Sequence, residues 1–491
     1  MGLPEKKKLF RILAILLGIL PFFVIEAGLR IAGLPQSSAA DPFVDLSNVE
    51  PLFVPSAGDG EQLEIAANRM HLFRPAAFKR SKPAGTLRVF ALGGSTTQGE
   101  PYSTETAFPH WAGICLEAAM DRDVEVINCG GLSYASYRVL AILREVIEYE
   151  PDLILIYTGH NEYLEHRSFE GFDPDSWRTR STGFLSRLRT VALVRQLWAG
   201  DSSRPEPLVR NPTRLTREVD ALLDYRGGLD EYQRGSQPDA AIVTQFEWNL
   251  RQMVGVCRAR GVPVHLVSPV SNIRDCPPFK IEPSPELEGS ELDAFQSKWL
   301  TAKKSSDSGQ AKSTSMEVLR RDAEHAGANF ILGRLLCEQG NPAEAAEYLW
   351  RALDGDVCKL RATRELVNVV HQLAEELQVP CLRAQELFEA RSRDGLVGDQ
   401  WLVDHIHPSV EGHQAIGEEL ALQFLTEHSG WVNNEDWSQS TQRRFAEYLG
   451  SLNASYFARG QQRLEGLRLW TEGRAKKLRE GSGEGGATGS D

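Results

Sequence analysis

Runs of apolar residues alternate along the chain with segments in which apolar positions recur every three or four residues. The mostly apolar runs lie at 87–95, 124–131, 151–159, 262–270 and 379–388. The segments with helical spacing lie at 107–120, 137–149, 245–260, 361–377 and 410–426. Continuous apolar runs are typical of parallel strands that are buried on both faces. The alternation therefore predicts βαβ units and an α/β fold built on a parallel sheet.

A long insertion at 275–360 interrupts this alternation. It contains a Ser/Lys-rich stretch at 303–315, which we expect to be a mobile loop, and then a helical hairpin at 328–353 that turns at Gly340. The spacing of small and large residues in the hairpin is similar to that of one tetratricopeptide repeat, although any close-packed helical hairpin would satisfy it. Because one repeat cannot bury its own apolar face, we expect the hairpin to pack on a helix at 289–304 or on the main domain.

The N-terminus has the pattern of a membrane anchor. Lysines at 6–8 precede an uncharged apolar run of 14 residues at 12–25, and apolar character then resumes. The stretch 12–34 has 23 residues, enough to cross a bilayer, which takes about 20. Because the basic residues precede it, a single-pass protein with a periplasmic domain is predicted. A cleaved signal peptide, with small residues at 38–40, and a peripheral helix are the alternatives.

These patterns divide the chain into seven segments. They are an anchor at 1–34, a linker segment at 35–86, the first part of a core at 87–274, the helical insertion at 275–360, the second part of the core at 361–430, a C-terminal helical extension at 431–480 and a disordered tail at 481–491. The linker segment is rich in Pro, Ser and Ala and has little periodicity, so we expect it to be irregular. The core is thus predicted to be split in sequence by the insertion.

Composition narrows the class of protein. The chain has 491 residues, of which 42% are hydrophobic and 25% charged, as is ordinary for globular proteins. Its formal net charge of −13 would repel phosphate backbones, so we expect no nucleic-acid partner. Its seven cysteines are scattered without paired metal-ligand spacing, which indicates mostly buried thiols rather than a disulfide framework.

Residues suited to acyl transfer follow the predicted strands, at the ends where ligands bind in parallel sheets. Ser95 follows the first strand, Asn161 follows the third, and Asp404 and His407 precede the closing helix. Ser95 would attack an ester carbonyl, His407 would take and return the proton, and Asp404 would hold the other ring nitrogen. A cap, a turn or a surface position would explain each residue alone. Their combination predicts catalysis.

The same residues resemble the sequence blocks of the SGNH, or GDSL-like, hydrolase superfamily. The first block appears as Gly93-Gly94-Ser95, the third as Gly159-His160-Asn161-Glu162, and the fifth as Asp404-His405-Ile406-His407, followed by proline. The resemblance covers 87–165 and 245–427. It implies a flavodoxin-like three-layer fold and a serine ester hydrolase that needs no cofactor or metal.

The second block departs from the superfamily pattern. Asn128 matches its first position, but Ser133 stands in place of the last glycine, which in the superfamily donates its N–H to the oxyanion. Ser133 keeps this N–H but brings a Cβ close to the substrate oxygen, so Gly131 is the alternative donor. The resemblance therefore implies an oxyanion hole made of the Ser95 N–H, the Ser133 N–H and the Asn161 amide.

Further residues near the predicted site are candidates for lining its pocket. They are Gly131, Tyr163, Asn272, Arg274 and Arg361. An arginine can hold a carboxylate or phosphate of the substrate through two N–H groups, although structural ion pairs explain such residues more simply. A metal site that includes Asp404, His405 and His407 is another alternative, but it leaves the serine turn unexplained.

The sequence thus predicts a membrane-anchored ester hydrolase that acts on an acyl or acetyl ester of a cell-envelope glycan or lipid. The same site would also serve an O-acyltransferase that passes the acyl group to a glycan hydroxyl. A function of another class is an interaction scaffold in which the hairpin at 328–353 binds a protein partner. The intact set of Ser95, Asp404 and His407 argues against a scaffold alone.

Overall fold

We describe the fold from a computed structural model of the chain. The residues that it describes are 20–29, 49–58, 60–120, 122–167, 190, 216, 218–236, 238–434 and 436–472. The predicted tail at 481–491 lies outside them. Contacts divide the chain into two compact units, one made of 1–49 and 167–217 and the other of 50–166 and 218–491.

In the first unit, residues 20–29 are helical. Glu26 is buried, and its carboxylate accepts hydrogen bonds from the backbone N–H and the hydroxyl of Thr190 at 3.0 and 3.1 Å. Within the described ranges, no helix combines the length and the apolar character needed to cross a bilayer. Most of the predicted span at 12–34 lies outside those ranges, so the anchor stays a prediction.

The second unit begins with a small antiparallel sheet of three strands. They are β1 Phe53–Pro55, β2 Gln62–Ile65 and β3 Ala77–Lys79. Part of the linker segment 35–86, expected to be irregular, is therefore ordered. The Phe53 and Phe78 ring centroids are 4.9 Å apart, and Phe78 packs on Phe90 of the main domain at 5.4 Å. Burial against the main domain orders strands that are too short to show a periodic pattern.

A five-stranded parallel sheet forms the core of this unit, in the order β5-β4-β6-β7-β8. Its strands are β4 Leu87–Gly93, β5 Val124–Gly130, β6 Leu153–Tyr157, β7 Val264–Val267 and β8 Cys381–Leu382. The predicted α/β fold with a parallel sheet is thus confirmed. The central strands β4 and β6 are buried along their whole length, which explains why β6 is entirely apolar and β4 is apolar apart from the buried Arg88.

Helices cover both faces of the parallel sheet. In chain order the helices of the second unit are α1 Ser95–Gln98, α2 Phe108–Met120, α3 Ser136–Val146, α4 Asp239–Ala259, α5 Gly289–Lys304, α6 Ser308–Leu319, α7 Ala326–Glu338, α8 Pro342–Asp354, α9 Arg364–Glu376, α10 Ala384–Arg391, α11 Val410–Glu427, α12 Trp437–Ser451 and α13 Ala454–Thr471. Alternate residues Leu87, Val89 and Ala91 share one apolar cluster with Trp111 of α2 and Ile416 of α11. Helices α3, α4 and α9 pack together on the other face.

The last predicted strand, 379–388, is a strand only at Cys381–Leu382, and its second half is helical. Strand β8 has two residues, and α10 begins at Ala384. Ala384 and Phe388 are four residues apart and both are fully buried, which is the spacing of one helix face. The apolar run is thus a short strand followed directly by a buried helix, a distinction that an apolar run alone does not make.

Four helices, α5 to α8, occupy the insertion. The predicted hairpin is α7 and α8, which are joined at Gly340 with a φ of +78°. A Cβ on Gly333 of α7 would lie 2.6 Å from Leu349 Cγ of α8, so glycine is needed where the two helices cross. The hairpin packs on α6 and α5 and, through Leu349, on Ile273 and Leu396 of the core. It therefore meets both of the surfaces on which it was expected to pack.

The Ser/Lys-rich stretch at 303–315, expected to be a mobile loop, is mostly helical. It holds the end of α5 and the start of α6. The Asp307 carboxylate accepts the Gln310 N–H at 2.6 Å and so caps α6. An N-cap aspartate satisfies one of the free N–H groups that a helix start leaves exposed, which explains why this polar sequence is helical.

Candidate active site

A sharp turn after β4 presents the Ser95 hydroxyl. Ser95 is the first residue of α1, and this four-residue helix follows the strand after a single glycine. A Cβ on Gly94 would lie 2.7 Å from Asn161 Nδ2, so only glycine fits there. Gly99 directly follows helix α1 and caps it, with a φ of +94° in the left-handed region that favours glycine. The two glycines thus place Ser95, which is partly exposed, at the carboxyl end of the sheet.

Asp404 and His407 form a compact turn that faces this serine. His407 Nε2 is 2.8 Å from Ser95 Oγ, and His407 Nδ1 is 2.7 Å from Asp404 Oδ2. Asp404 Oδ1 accepts the backbone N–H groups of Ile406 and His407 at 2.9 and 2.8 Å. The structure therefore brings the three predicted side chains into one hydrogen-bonded chain, with the carboxylate on the imidazole nitrogen that points away from the serine.

The electrostatics of this turn favour His407 as the titrating group. Burial disfavours its charged form, but the charge and hydrogen bond of Asp404 outweigh burial, and with a smaller contribution from Glu100 they raise the pKa of His407 above its usual 6.5. Burial would raise the pKa of Asp404, but the His407 and His405 rings lower it well below its usual range. Burial lowers the pKa of His405 to about 4, so its ring is neutral near pH 7.

The predicted oxyanion donors lie around the loop that follows β5. Asn161 Nδ2 donates to the Tyr134 carbonyl at 3.0 Å, which leaves its second N–H for a ligand. The Gly131 N–H donates to the Gly93 carbonyl at 3.0 Å and is therefore not available. The Ser133 N–H has no acceptor among the described residues, and its φ of +59° turns the backbone. Of the two candidates for the second donor, Ser133 has the free N–H.

Residues of the linker segment support the loop that follows β5. The sequence analysis did not predict this role. The Leu72 carbonyl accepts hydrogen bonds from the Leu132 N–H at 2.9 Å and from Gln98 Nε2 at 2.7 Å. It thus joins the loop at 131–135, which we call the oxyanion loop, to helix α1. The Arg69 guanidinium donates to the Tyr134 hydroxyl and, at 2.7 Å, to the Glu50 carbonyl. We call residues 50–80 the clamp segment. No local pattern distinguishes it from an ordinary linker.

Asn272 and Arg361, predicted to line the pocket, make hydrogen bonds within the protein. Asn272 Nδ2 donates to the Asp404 carbonyl at 3.1 Å and to Asp399 at 2.7 Å. Arg361 is 3% exposed and donates to the carbonyls of Asn272 and Cys276 at 2.8 and 2.9 Å. Both side chains therefore fix the loop behind the Asp–His turn, and their donors are used within the protein.

Tyr163 and Arg274 also have partners away from the reacting groups. Tyr163 is 2% exposed, with the Lys359 ammonium 5.3 Å from its ring centroid. Arg274 Nε lies 2.8 Å from Asp394, and its Nη1 lies 3.5 Å from Asp275. Gly131 is enclosed, because a Cβ there would lie 2.8 Å from both Phe73 and Tyr134. The structure brings none of these three residues onto the Ser95 hydroxyl.

The histidines next to the site make contacts within the protein. His160 is buried, and its Nδ1 accepts the Ala362 N–H at 3.2 Å. The His405 ring packs edge-on against Phe279 with centroids 5.2 Å apart. Across the described ranges of the chain, no group of three or more His, Cys, Asp or Glu side chains is arranged to hold a metal ion.

Comparison with known proteins finds similar solved structures. A lipase/acylhydrolase from Enterococcus faecalis is 14% identical over 70% of this chain and 96% of its own, with a TM-score of 0.31. An acetylxylan esterase from Geobacillus stearothermophilus is 16% identical over 71% and 97%, with a TM-score of 0.30. A GDSL-like lipase from Bacteroides thetaiotaomicron is 12% identical over 70% and 88%, with a TM-score of 0.28. No protein-family model and no curated protein matches the chain.

Proposed function

We propose that this protein is a serine ester hydrolase of the SGNH type. One observation carries the proposal, namely the continuous hydrogen-bonded chain from Ser95 Oγ through His407 to Asp404. It stands next to a free Ser133 N–H and an Asn161 amide with a spare N–H. A hydroxyl, a base, a group that orients the base and donors for a developing oxyanion together make up the machinery of acyl transfer.

The geometry supports a two-step reaction. Ser95 Oγ attacks the ester carbonyl carbon while its proton passes to His407 Nε2, and the carbonyl electrons move to the oxygen. The N–H groups of Ser95, Ser133 and Asn161 stabilise that oxyanion. When the oxyanion collapses, the C–O bond to the alcohol breaks and His407 returns its proton to the leaving oxygen. Water then attacks the acyl-serine by the same steps and releases the acid.

The location and substrate follow from the N-terminal pattern. We propose that 12–34 anchors the protein in the cell membrane and that the hydrolase domain faces the periplasm. An exported esterase meets glycans and lipids of the cell envelope, so we propose an acyl or acetyl ester of one of these as the substrate. If a sugar hydroxyl replaced water in the second step, the same site would catalyse O-acyl transfer.

A scaffold function is less well supported. The apolar face of the hairpin α7–α8 is covered by Ile273 and Leu396 of the core and by helix α6. A protein partner would therefore bind the outer surface of this hairpin. Such binding is compatible with catalysis and does not replace it.

Labelling with a fluorophosphonate probe tests the hydrolase proposal. We expect wild-type protein to be labelled covalently and Ser95→Ala to remain unlabelled, while Ser103→Ala, five residues beyond the short helix, labels normally. A panel of acetyl and longer acyl esters, assayed with and without a glycan acceptor, then separates hydrolysis from transfer. Equal labelling of wild type and Ser95→Ala would refute the proposal. Extraction of membranes with high salt tests the anchor separately. If 12–34 is an anchor, the hydrolase domain stays in the membrane fraction.

A further inference from the structure

Helix α13 lies across the loops that carry the reacting groups. Arg463 Nε donates to the carbonyl of Pro101, six residues after Ser95, at 2.6 Å. One turn later, Arg468 Nη2 donates to the Val403 carbonyl at 3.2 Å, directly before Asp404 in sequence. The helix thus touches both the nucleophile loop and the Asp–His turn. It therefore forms a wall of the site, a position that the predicted helical extension at 431–480 did not reveal.

The Arg463 end of this wall has a cluster of charged groups beside the nucleophile. The Glu100 N–H donates to the Ser95 carbonyl at 3.1 Å, and the Glu100 carboxylate contributes to the raised pKa of His407 after burial and Asp404. This carboxylate pairs with Arg74 and lies 3.6 Å from Arg463 Nε. Two guanidinium groups thus share one carboxylate, which leaves a net positive charge next to the site.

Both arginines have donors that the protein does not use. The Arg463 Nη groups have no acceptor among the described residues, because its contacts with Pro101 and Glu100 are made through Nε. Arg74 Nε is buried and has no hydrogen-bond partner among the residues that the structure describes. The Arg463 and Arg74 side chains are 33% and 23% exposed, so a ligand can reach the exposed part of each, although Arg74 Nε itself is enclosed.

The surroundings leave this positive charge incompletely balanced. Burial lowers the pKa of Arg463, and although Glu100 opposes this effect, the neighbouring Arg74 adds to it. A guanidinium group that is partly buried and faces another guanidinium gains stability from an added anion. Structural arginines elsewhere in this unit show a different pattern. Arg138, for example, donates hydrogen bonds from Nε and Nη2 to the Glu165 carboxylate at 2.8 and 2.7 Å.

We propose that Arg463 and Arg74 bind an anionic oxygen group, a carboxylate or a sulfate, on the ester substrate. This inference rests on the proposed hydrolase function and specifies its substrate class as an O-acyl ester of an acidic sugar. The anionic group would take two N–H donors of Arg463 in the bidentate manner that suits carboxylates and sulfates. The acyl group would then lie at Ser95, on the other side of Glu100.

Matched acetyl esters test the proposal. We compare O-acetyl methyl glucuronoside and O-acetyl glucose 6-sulfate methyl glycoside with O-acetyl methyl glucoside, which is neutral at the same position. We expect wild-type kcat/KM to favour an acidic ester about tenfold or more, the size of one charge-assisted hydrogen-bonded pair. Arg463→Gln should remove this preference mainly through KM, and Arg463→Lys should restore part of it. A comparison of kcat/KM between the sulfate ester and the glucuronoside shows which anion is bound.

Arg459→Gln is the matched control, because this exposed arginine lies one turn earlier on α13. It should keep the wild-type preference. Equal kcat/KM for the acidic and neutral esters in wild type would overturn the proposal, and so would equal losses of preference in Arg459→Gln and Arg463→Gln.

Binding to Ser95→Ala keeps this test independent of catalysis. Calorimetry with the unacetylated methyl glucuronoside, the glucose 6-sulfate glycoside and the neutral glucoside should show binding of an acidic sugar that Arg463→Gln weakens. If no acidic sugar binds better than the neutral one, the inference fails. If fluorophosphonate labelling and ester turnover are absent while Arg463-dependent binding persists, the hydrolase function fails and the anion site remains.

Discussion

The two halves of the candidate site are built in opposite ways. The acid–base half is a turn of four residues, in which Asp404 holds His407 through the ring and through two backbone N–H groups. The nucleophile half draws Ser95, Ser133 and Asn161 from three loops that are far apart in sequence. One half is thus determined locally, whereas the other depends on the whole edge of the sheet.

This difference shows where the site is vulnerable. The Asp–His turn carries hydrogen bonds of its own in addition to the one from Asn272, so a distant change should disturb its geometry less. The oxyanion side depends on single contacts between segments, such as the Leu72 carbonyl that serves both Leu132 and Gln98. Small misplacements at a reacting centre reduce rates strongly. We therefore expect remote substitutions to act mainly through the nucleophile half.

The largest effect should come from removing Ser95 or His407, the two side chains whose hydrogen bond joins the halves. Ser95→Ala and His407→Ala should each lower kcat on a simple acetyl ester by about 10⁴-fold or more, and the double variant should be no worse than either single variant. Initial-rate kinetics at saturating ester measures this. Losses that multiply in the double variant would show that the two residues do not act as one unit.

Asn161→Ala should have the next largest effect. Loss of one oxyanion donor lowers kcat by roughly 10²–10³, and KM should change little because the donor acts on charge that develops in the transition state. Steady-state kinetics measures both constants. A loss below tenfold would mean that the spare N–H of Asn161 does not face the oxyanion.

Arg69→Met tests whether the clamp segment acts on catalysis. It removes the hydrogen bond to the Tyr134 hydroxyl, and Tyr134 is the residue whose carbonyl holds Asn161. We expect kcat to fall about tenfold with little change in KM, measured together with the melting temperature. Asn68→Ala is the neighbouring control, since its exposed side chain bonds to Glu50 on the surface. Equal losses in the two variants would contradict a specific role for Arg69.

The pH profile tests the acid–base half. His407 must be neutral to accept the serine proton, and its pKa is raised above 6.5 by Asp404 and Glu100 against the effect of burial. We therefore expect kcat/KM to fall as the pH drops through a midpoint above 6.5, because protonation removes the base. Glu100→Gln should move this midpoint to lower pH. A midpoint that stays fixed in Glu100→Gln would show that its charge does not reach His407.

The smallest effect should come from Ser133→Gly. The backbone N–H is retained and the positive φ of Ser133 is easier for glycine, so we expect kcat to stay within about twofold. The free energy of unfolding should change by less than about 1 kcal/mol, since relief of strain is offset by the greater freedom of glycine in the unfolded chain. Urea unfolding measures this. A large loss of activity would assign a role to the Ser133 hydroxyl.

Local patterns predicted those parts of the molecule whose structure is determined locally. The buried strands β4 and β6 are mostly apolar runs, and the Asp404–His407 spacing fits within one turn, so both could be predicted from sequence. The strand expected at 379–388 is confirmed only at Cys381–Leu382, because an apolar run does not distinguish a strand from a buried helix. The clamp segment was missed, and α13 was predicted as part of the helical extension at 431–480 but not as a neighbour of the site, since long-range contacts alone bring both to it.

The clamp segment also determines where the minimal folding unit of this protein begins. A gene fragment that starts at Leu87, the first residue of the parallel sheet, would encode every residue of the Ser–His–Asp chain. It would lack the Leu72 carbonyl and the Arg69 guanidinium that hold the oxyanion loop. A fragment that begins near Glu50 keeps these supports together with the Glu50 carbonyl that accepts a hydrogen bond from Arg69. Domain boundaries drawn from the strand pattern alone would therefore separate the site from part of its own scaffold.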